Sequence, residues 1–442
     1  MTLKEKIWFF LKNLKNKSPN KYIESLINKS IGFFYKIGFT ELKKTCFKSV
    51  LNYDFDLPNG NNDIEYSILK KLSFNNKFIS LYFINGFFKS SLSNLWKLKK
   101  YIKFSSLKNC LFHKLPTILP TITKYFCNTL FSKDHFFFHN SFIAINISLT
   151  TDGIFIKIPK NTNLKIPIEI INIYYPKKSS IINLKNIIVV GKNSKLKIIE
   201  RHISTSKTTS KKSKNYIFSN VFTEIFSKDQ SQVEVFKLEN DLRKTYLIDN
   251  TFIKQSSNSV CKVFTFSSNI RNIINNINCL KVGTDTQSFF NGLSFFKKSN
   301  NISKIYNKIF IKHLFSNSVS YQNYKGIFSK NSYGIFKSKI KINENLYNIK
   351  SKQINSNLLL SNSSKVFSRP EFKTASSKVK CSHGTNIGKL DKKTIFFFRT
   401  RGIEKKQSIK LAILIFANEL IKLVNLNILK TQIRNYLKKN IN

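Results

Sequence analysis

Apolar positions along this chain change their spacing twice. Near the N-terminus Leu3, Ile7, Phe10, Leu11 and Leu14 recur at three- and four-residue intervals, behind the capping-box pattern Thr2-Leu-Lys-Glu5, and predict a helix. Tyr22 to Ile37 and Leu92 to Lys103 are further predicted helices. Phe78 to Phe83 is a predicted strand running into the turn Asn85-Gly86. Residues 1–135 therefore read as a mainly helical N-terminal region.

From Phe142 the spacing shortens to β-type runs: Phe142-Ile-Ala-Ile-Asn-Ile, Ile154-Phe-Ile-Lys-Ile, Ile168-Glu-Ile-Ile-Asn-Ile, Ile187-Ile-Val-Val and Leu196-Lys-Ile-Ile. The turns repeat a small, polar theme: Gly191-Lys-Asn-Ser194, Lys228-Asp-Gln-Ser231, Ser257-Asn-Ser259, Gly283-Thr-Asp-Thr286, Ser316-Asn-Ser318 and Asn362-Ser-Ser364. Their separations lie around roughly thirty residues, within the range of stacked repeat coils. A large sandwich would also accommodate such strands. A β-solenoid is favoured, because stacked coils tolerate Asn and Ser at their corners and keep Ile, Phe and Val inward. Residues 136–385 are the expected core.

After residue 386 helical spacing returns. Asp391 is placed as an N-cap, Ile395, Phe396 and Phe398 form an apolar face, and Gly402 sits where a glycine ends a helix. Ile409, Ile413, Phe416, Leu420 and Val424 share the face of a second helix, extended by Ala412 and Leu423, and Leu429, Ile433 and Leu437 mark a third. Residues 386–442 are thus a helical C-terminal domain whose apolar faces serve either the chain's own core or a partner.

Composition narrows the class. With 41% apolar and 14% aromatic residues among 442, the chain has material for a core, which excludes a wholly disordered basic tail. The longest apolar run, Leu411 to Ala417, is far too short to span a membrane. Ile7 to Leu11 is too short for a secretory segment, and Glu5 with no arginine nearby argues against an organellar presequence. Cys46, Cys110, Cys127, Cys261, Cys279 and Cys381 stand far apart with no C-x-x-C, so a reducing, cytoplasmic setting is expected rather than a disulfide framework.

The net charge of +52, from 75 basic and 23 acidic residues, first suggests a polyanion partner, and a basic RNA-binding protein is the alternative reading. Only seven of those basic residues are arginine, and the charge is spread along the chain rather than gathered in a stripe. Abundant Lys, Asn, Ile, Phe and Tyr alongside scarce Gly, Pro and Arg fit AT-rich codon drift, so no specific nucleic acid is expected. Against that drift, Gly384 to Gly402 gathers three of the thirteen glycines and two of the arginines.

Gly384-Thr-Asn-Ile-Gly388-Lys389-Leu390 imitates a phosphate loop but has three residues between its glycines and Leu390 where a Ser or Thr is required. The chain is therefore not expected to be an ATPase. His135 and His139 have helical metal-pair spacing with only Asp134 nearby, and His113, His202 and His313 stand alone. Cys381-Ser382-His383-Gly384 is the better constellation. Strand alternation places Cys381 and His383 on one face, a thiolate and imidazole suited to iron, zinc or copper, with further ligands to come from elsewhere in the fold or from another chain. A buried cysteine beside a hydrogen-bonded histidine explains the same residues equally well.

Cys381-Ser-His-Gly-Thr-Asn-Ile-Gly-Lys-Leu-Asp391 with Ile395-Phe-Phe-Phe-Arg-Thr-Arg-Gly-Ile403 closely resembles the C-terminal signature of the SufB/SufD family of iron-sulfur cluster assembly proteins. The SHG and G-x-LD elements are nearer to SufD than to SufB. Phe83-Ile-Asn-Gly86 with Leu92-Ser93, Thr151-Asp-Gly-Ile-Phe-Ile156 with Pro159 and Pro167-Ile168, and Phe218-Ser-Asn with Thr223-Glu-Ile225 resemble further family segments. The resemblance implies a right-handed parallel β-helix between helical ends, and a non-enzymatic scaffold subunit of a SufBCD complex. It implies pairing with a SufB-like subunit through the β-helix and docking of a SufC-like ABC ATPase on the C-terminal helices, where Arg399, Arg401, Gly402, Ile409 and Phe416 are candidate contacts. A transient iron-sulfur cluster shared with SufB would meet His383 and Cys381; a flavin is compatible with the family but not indicated. The family's N-terminal pattern survives only as Gly38-Phe39-Thr40 and Lys43-Lys44-Thr45-Cys46-Phe47-Lys48, and Ser376-Ser377-Lys378 replaces its acidic pair.

Overall fold

The computed structural model describes residues 3–13, 20–39, 54–58, 77–98, 102–112, 119–126, 140–175, 178–204, 215–242, 244–297 and 302–441. The N-terminal helices are α1 (Leu3–Lys12), α2 (Lys21–Ile37), α3 (Leu107–Phe112), α4 (Leu119–Tyr125) and α5 (Ser141–Ser148). Among them lie the short strands β1 (Ile79–Ile84), β2 (Phe87–Lys89) and β3 (Lys103–Ser106). The first coils are built by β4 (Asp152–Ile158), β5 (Ile168–Tyr174), β6 (Ser180–Val190), β7 (Lys195–Ser204), β8 (Ile217–Ser227) and β9 (Gln232–Asn240). The middle coils use β10 (Thr245–Gln255), β11 (Val260–Ser268), β12 (Asn272–Lys281), β13 (Gln287–Phe296) and β14 (Ser303–His313). The last use β15 (Val319–Phe328), β16 (Ser332–Ile342), β17 (Ile349–Leu359), β18 (Lys365–Thr374) and β19 (Val379–Gly388). Three helices follow: α6 (Lys392–Arg399), α7 (Lys405–Ile421) and α8 (Asn427–Asn440).

From β4 onward successive strands alternate between two sheets, and each strand pairs in parallel with the strand two places on. The result is a β-solenoid of about seven turns with helices at both termini. Its register stacks like on like. One inward column runs Ile168, Ile198, Val235, Val263 and Phe290, each residue directly over the next. Such columns fill the space between the sheets with buried Ile, Val, Leu and Phe, each worth about 1.5–3 kcal/mol on full burial.

The polar turns seen in the sequence are the solenoid's corners. Asn161, Asn193, Gln230, Asn258, Asp285, Asn317 and Asn348 all carry positive φ between 52° and 59°, a region that asparagine tolerates better than most side chains. The amides of Asn161, Asn193, Gln230, Asn258, Asn317 and Asn348 each donate to a carbonyl one coil on, as from Asn193 to Asp229 and from Asn258 to Thr284, both at 2.9 Å. The residue after each corner turns inward and is buried: Ser194, Ser231, Ser259, Thr286 and Ser318.

Two predicted elements differ. Phe142-Ile-Ala-Ile-Asn-Ile lies in helix α5, capped by Asn140, whose side chain accepts from the amides of Phe142 and Ile143. All eight of its residues are buried, and a short apolar run buried on every side has no periodicity to separate helix from strand. The described residues of the predicted helix Leu92 to Lys103 hold a 3-10 turn, Leu95–Lys97, and the start of β3 in place of an α-helix. Here the Asn94 and Ser93 side chains accept from the β1 amides of Ser80 (2.6 Å) and Tyr82 (3.0 Å), fastening the segment to the sheet instead of letting it coil. Asn85 and Gly86, both at positive φ, form the tight turn between β1 and β2.

The helices cover the outer faces. On the sheet containing β6, β8, β10 and β12, outward Phe155, Ile187, Phe222, Phe226 and Phe252 pack against α2 to α5. Beneath that cover Lys185 and Glu224 form a fully buried ion pair, with the ammonium 3.3 Å from the Phe222 ring. On the opposite sheet, outward Ile199, Phe236, Phe264, Leu293 and Ile327 pack against Ile413, Ala417, Leu420, Val424, Leu429, Ile433 and Leu437 of the C-terminal helices.

Candidate functional site

Cys381 and His383 lie on β19, the edge strand of its sheet, and β18 is the edge of the other; both belong to the final coil. Their residues are mostly exposed, unlike those of the strands before them. Strand alternation turns Cys381 and His383 to the inner face. Register makes them the ends of two inward columns. Cys261, Ser288, Ser320, Ser351 and Cys381 form one. Phe290, Gln322, Gln353 and His383 form the other, continuing the apolar column of the earlier coils.

Toward this end the solenoid interior becomes polar. His313 Nε2 lies 3.0 Å from Ser320 Oγ, which is 2.8 Å from Ser351 Oγ. Gln353 donates to Ser338 Oγ at 2.6 Å, and Ser338 in turn donates to Gln322. Past these residues Cys381 is half-buried, packing with Val366, Phe372 and Val379 over the end of the core. Burial pushes its thiol pKa up, which favours the neutral thiol. His383 is exposed and stacks on Phe372 with ring centroids 5.5 Å apart and an interplanar angle of 8°. The stack fixes the imidazole plane at the open end of the coil while leaving its nitrogens accessible.

The other candidate residues lie nearby in sequence but do not join this pair. Asp391 caps α6, accepting from the amides of Lys393 and Thr394 at 3.0 Å. Arg399 is exposed on α6, a helix with no buried residue. Arg401 folds back so that its guanidinium sits 3.5 Å from the Phe397 ring centroid and donates to the Phe397 carbonyl. Gly402, at φ +76°, makes the turn after that helix. Ile409 and Phe416 are half-buried against the outer face of the sheet, and Lys325 donates to the Phe416 carbonyl with its ammonium 4.2 Å from that ring. Phe396 (68% exposed), Phe397 (51%) and Ile415 (53%) remain open to solvent on α6 and α7. His135, His139, Asp134, Cys46 and Cys127 lie outside the described residues.

Among the described residues, one group of His, Cys, Asp and Glu side chains brings three ligand atoms together: Glu200, His202 and Asp249, all buried. It sits on β7 and β10, six ladder steps before β19, or roughly 29 Å at ~4.8 Å per step. Glu200-x-His202 on a strand held two of the three in the sequence, by the same alternation that links Cys381 and His383, so His202 does not stand alone as its sequence context suggests. Asp249 comes from the facing sheet and left no local signal.

Residues 174–416 match the family described as SUF system FeS cluster assembly, SufBD core domain. The chain is 26% identical over 358 residues to an iron-sulfur cluster assembly SufBD family protein of Synechocystis, covering 80% of this chain and 76% of that protein. It is 31% identical over 114 residues to the iron-sulfur cluster assembly protein SufD of Escherichia coli, covering 26% of this chain and 27% of that one. A SufD of Plasmodium falciparum is 24% identical over 261 residues, 59% of this chain and 17% of that protein.

Proposed function

Because the chain belongs to the SufBD family of iron-sulfur cluster assembly proteins, we propose that it acts as the SufD-type subunit of a SufBCD assembly, pairing with a SufB-like subunit and sharing a nascent iron-sulfur cluster with it as cargo. The observation that carries this reading is the open last coil. There two ten-residue edge strands present backbone with no pairing strand among the described residues, and the half-buried Cys381 and the Phe372-stacked His383 face the opening. An edge of this length is a template for strand addition by a partner sheet, which would place partner ligands opposite His383 and Cys381.

The C-terminal helices suit a second partner, a SufC-like ABC ATPase. Their inner faces are used by the chain's own sheet, while Phe396, Phe397, Ile415 and Arg399 are free to meet another surface. Arg401 and Gly402 would shape that surface, and Ile409 and Phe416 would support it from beneath. Energy from nucleotide hydrolysis would then enter through the partner, with this chain as scaffold rather than catalyst. Free thiols at Cys110, Cys261, Cys279 and Cys381 suit a reducing compartment such as the cytoplasm.

The test is co-expression with SufB-like and SufC-like partners under anaerobic conditions. The three chains should co-purify with iron and sulfide, and His383→Ala should lose the iron and sulfide while the complex persists. Cluster formation at the wild-type rate in His383→Ala would remove the site assignment, and failure of the chains to co-purify would remove the subunit assignment.

A further inference from the structure

The interior of the solenoid holds a second polar centre that the open end does not use. Glu200 and His202 point inward from β7, and the register sets Lys237 over Glu200 and Glu239 over His202 on β9. Asp249 faces them from β10 in the other sheet, and all five side chains are buried. Lys237 takes one side of the group: its ammonium lies 2.6 Å from both Asp249 oxygens and 3.2 Å from Glu200 Oε2. Burial works against that ammonium, but Asp249 and Glu200 more than offset it and push its pKa up.

The other side is less well filled. Glu200 Oε1 and His202 Nε2 are buried 3.4 Å apart with no hydrogen-bond partner beyond each other, and Asp249 Oδ2, which accepts from Lys237, lies 3.9 Å from His202 Nε2. The three ligand atoms of this group converge within 4.8 Å of one another. Orphaned buried acceptors are costly, at about 1–3 kcal/mol each and more for charged groups. One ammonium among the carboxylates of Glu200, Asp249 and Glu239 also leaves negative charge uncompensated when all three are ionised.

We propose that Glu200 Oε1, His202 Nε2 and Asp249 Oδ2 form an interior site for a divalent first-row cation of the Fe2+, Mn2+ or Zn2+ class. Two carboxylates and one imidazole are the donor set of that class, and the absence of sulfur disfavours Cu+. Behind the imidazole stands an orienting chain. His202 Nδ1 is 2.7 Å from the Tyr174 hydroxyl, which is 2.9 Å from Ser219 Oγ, and the two rings are stacked. With Nδ1–H donating to Tyr174, and Tyr174 donating to Ser219, the Nε2 lone pair is aimed at the three-atom centre. Lys237 keeps Glu200 Oε2 and so leaves Oε1 to the ion. Enclosure between the sheets means that the cation enters as the coils close, and is retained afterwards.

The proposal does not depend on the cluster-assembly reading, and its test uses no cluster. The full chain, produced in cells supplied with iron, manganese and zinc and purified anaerobically without chelator, is analysed for metal. About one equivalent per chain is expected in the unmutated protein, with loss in His202→Ala and Glu200→Gln. Tyr174→Phe should weaken retention against a chelator by roughly ten- to a hundredfold. Should His202→Ala not fold, X-ray absorption on the unmutated chain decides: a first shell of oxygen and nitrogen with one imidazole supports the site. A sulfur-containing shell, an unmutated chain free of metal, or full occupancy in a folded Glu200→Gln would each overturn it.

Discussion

Lys281 shows how far the interior dictates the state of a single side chain. It lies wholly buried at the end of β12, donating to the carbonyls of Thr286 (3.2 Å) and Val319 (2.6 Å), and a neutral amine has two N–H groups for those two acceptors. Burial pushes its pKa down to about 7 from an ordinary 10.5, with Cys279 and Cys261 opposing. Between those values the unfolded chain carries a proton that the folded chain has released, so stability rises with pH across the window and is lowest below it. The slope from one such proton is at most about 1.4 kcal/mol per pH unit. Urea midpoints measured from neutral to alkaline pH should rise in the unmutated chain and lose this component in Lys281→Met; an equal rise in both would assign it to other groups. Nothing in the sequence distinguished Lys281 from its many exposed neighbours, because its burial comes from coil stacking. Cys381 and His383 were legible because alternation alone puts them on one face. Their polar columns were not, since Ser351 and Gln353 join them only through the register.

At the scale of elements, the corners were the most legible feature and the buried helix the least. Small polar triplets such as Ser257-Asn-Ser259 announced themselves because the corner imposes two local demands: a left-handed backbone at Asn258 (φ 56°) and an inward, buried residue after it. Those demands give a prediction. Asn258→Gly keeps the backbone accessible, whereas Asn258→Val forces a β-branched side chain into the left-handed region, at about 1–2 kcal/mol or more. Urea unfolding should therefore rank the unmutated chain and Asn258→Gly close together with Asn258→Val clearly below; equal midpoints for the two variants would show that the corner does not need its positive φ. The same reasoning explains the misreading of α5. Phe142 to Ile147 has no polar face because α5 is sandwiched between α2 and the sheet, so its pattern answers to the surroundings and not to its own periodicity. The helical C-terminal faces were readable, since one side of α7 meets a sheet and the other meets solvent.

At the scale of the whole molecule the two ends of the solenoid are unequal, and the inequality bears on function. At the first end the sheets finish in antiparallel strands of only three and four residues, β2 and β3, a short and irregular edge of the kind that resists further pairing. At the other end β18 and β19 each run ten residues, parallel to their inner neighbours and, among the described residues, with no strand paired beyond them. In a parallel edge strand alternate amides point away from the ladder, so among the described residues the outward N–H groups of β18 and β19 have no sheet partner. Hydrogen exchange should therefore be fast at those positions and slowest in the central strands β8 to β13, where neighbours stand on both sides. If the last coil is the subunit interface, binding a SufB-like partner should slow the edge amides of β18 and β19 while leaving β2 and β3 unchanged. Protection confined to the C-terminal helices would instead locate the contact there and leave the open coil, with His383 and Cys381, outside the assembly. The measurement thus separates pairing through the sheet edge from docking on α6 and α7, two surfaces that adjoin in sequence but present different chemistry: unpaired backbone at one, exposed aromatic and aliphatic side chains at the other.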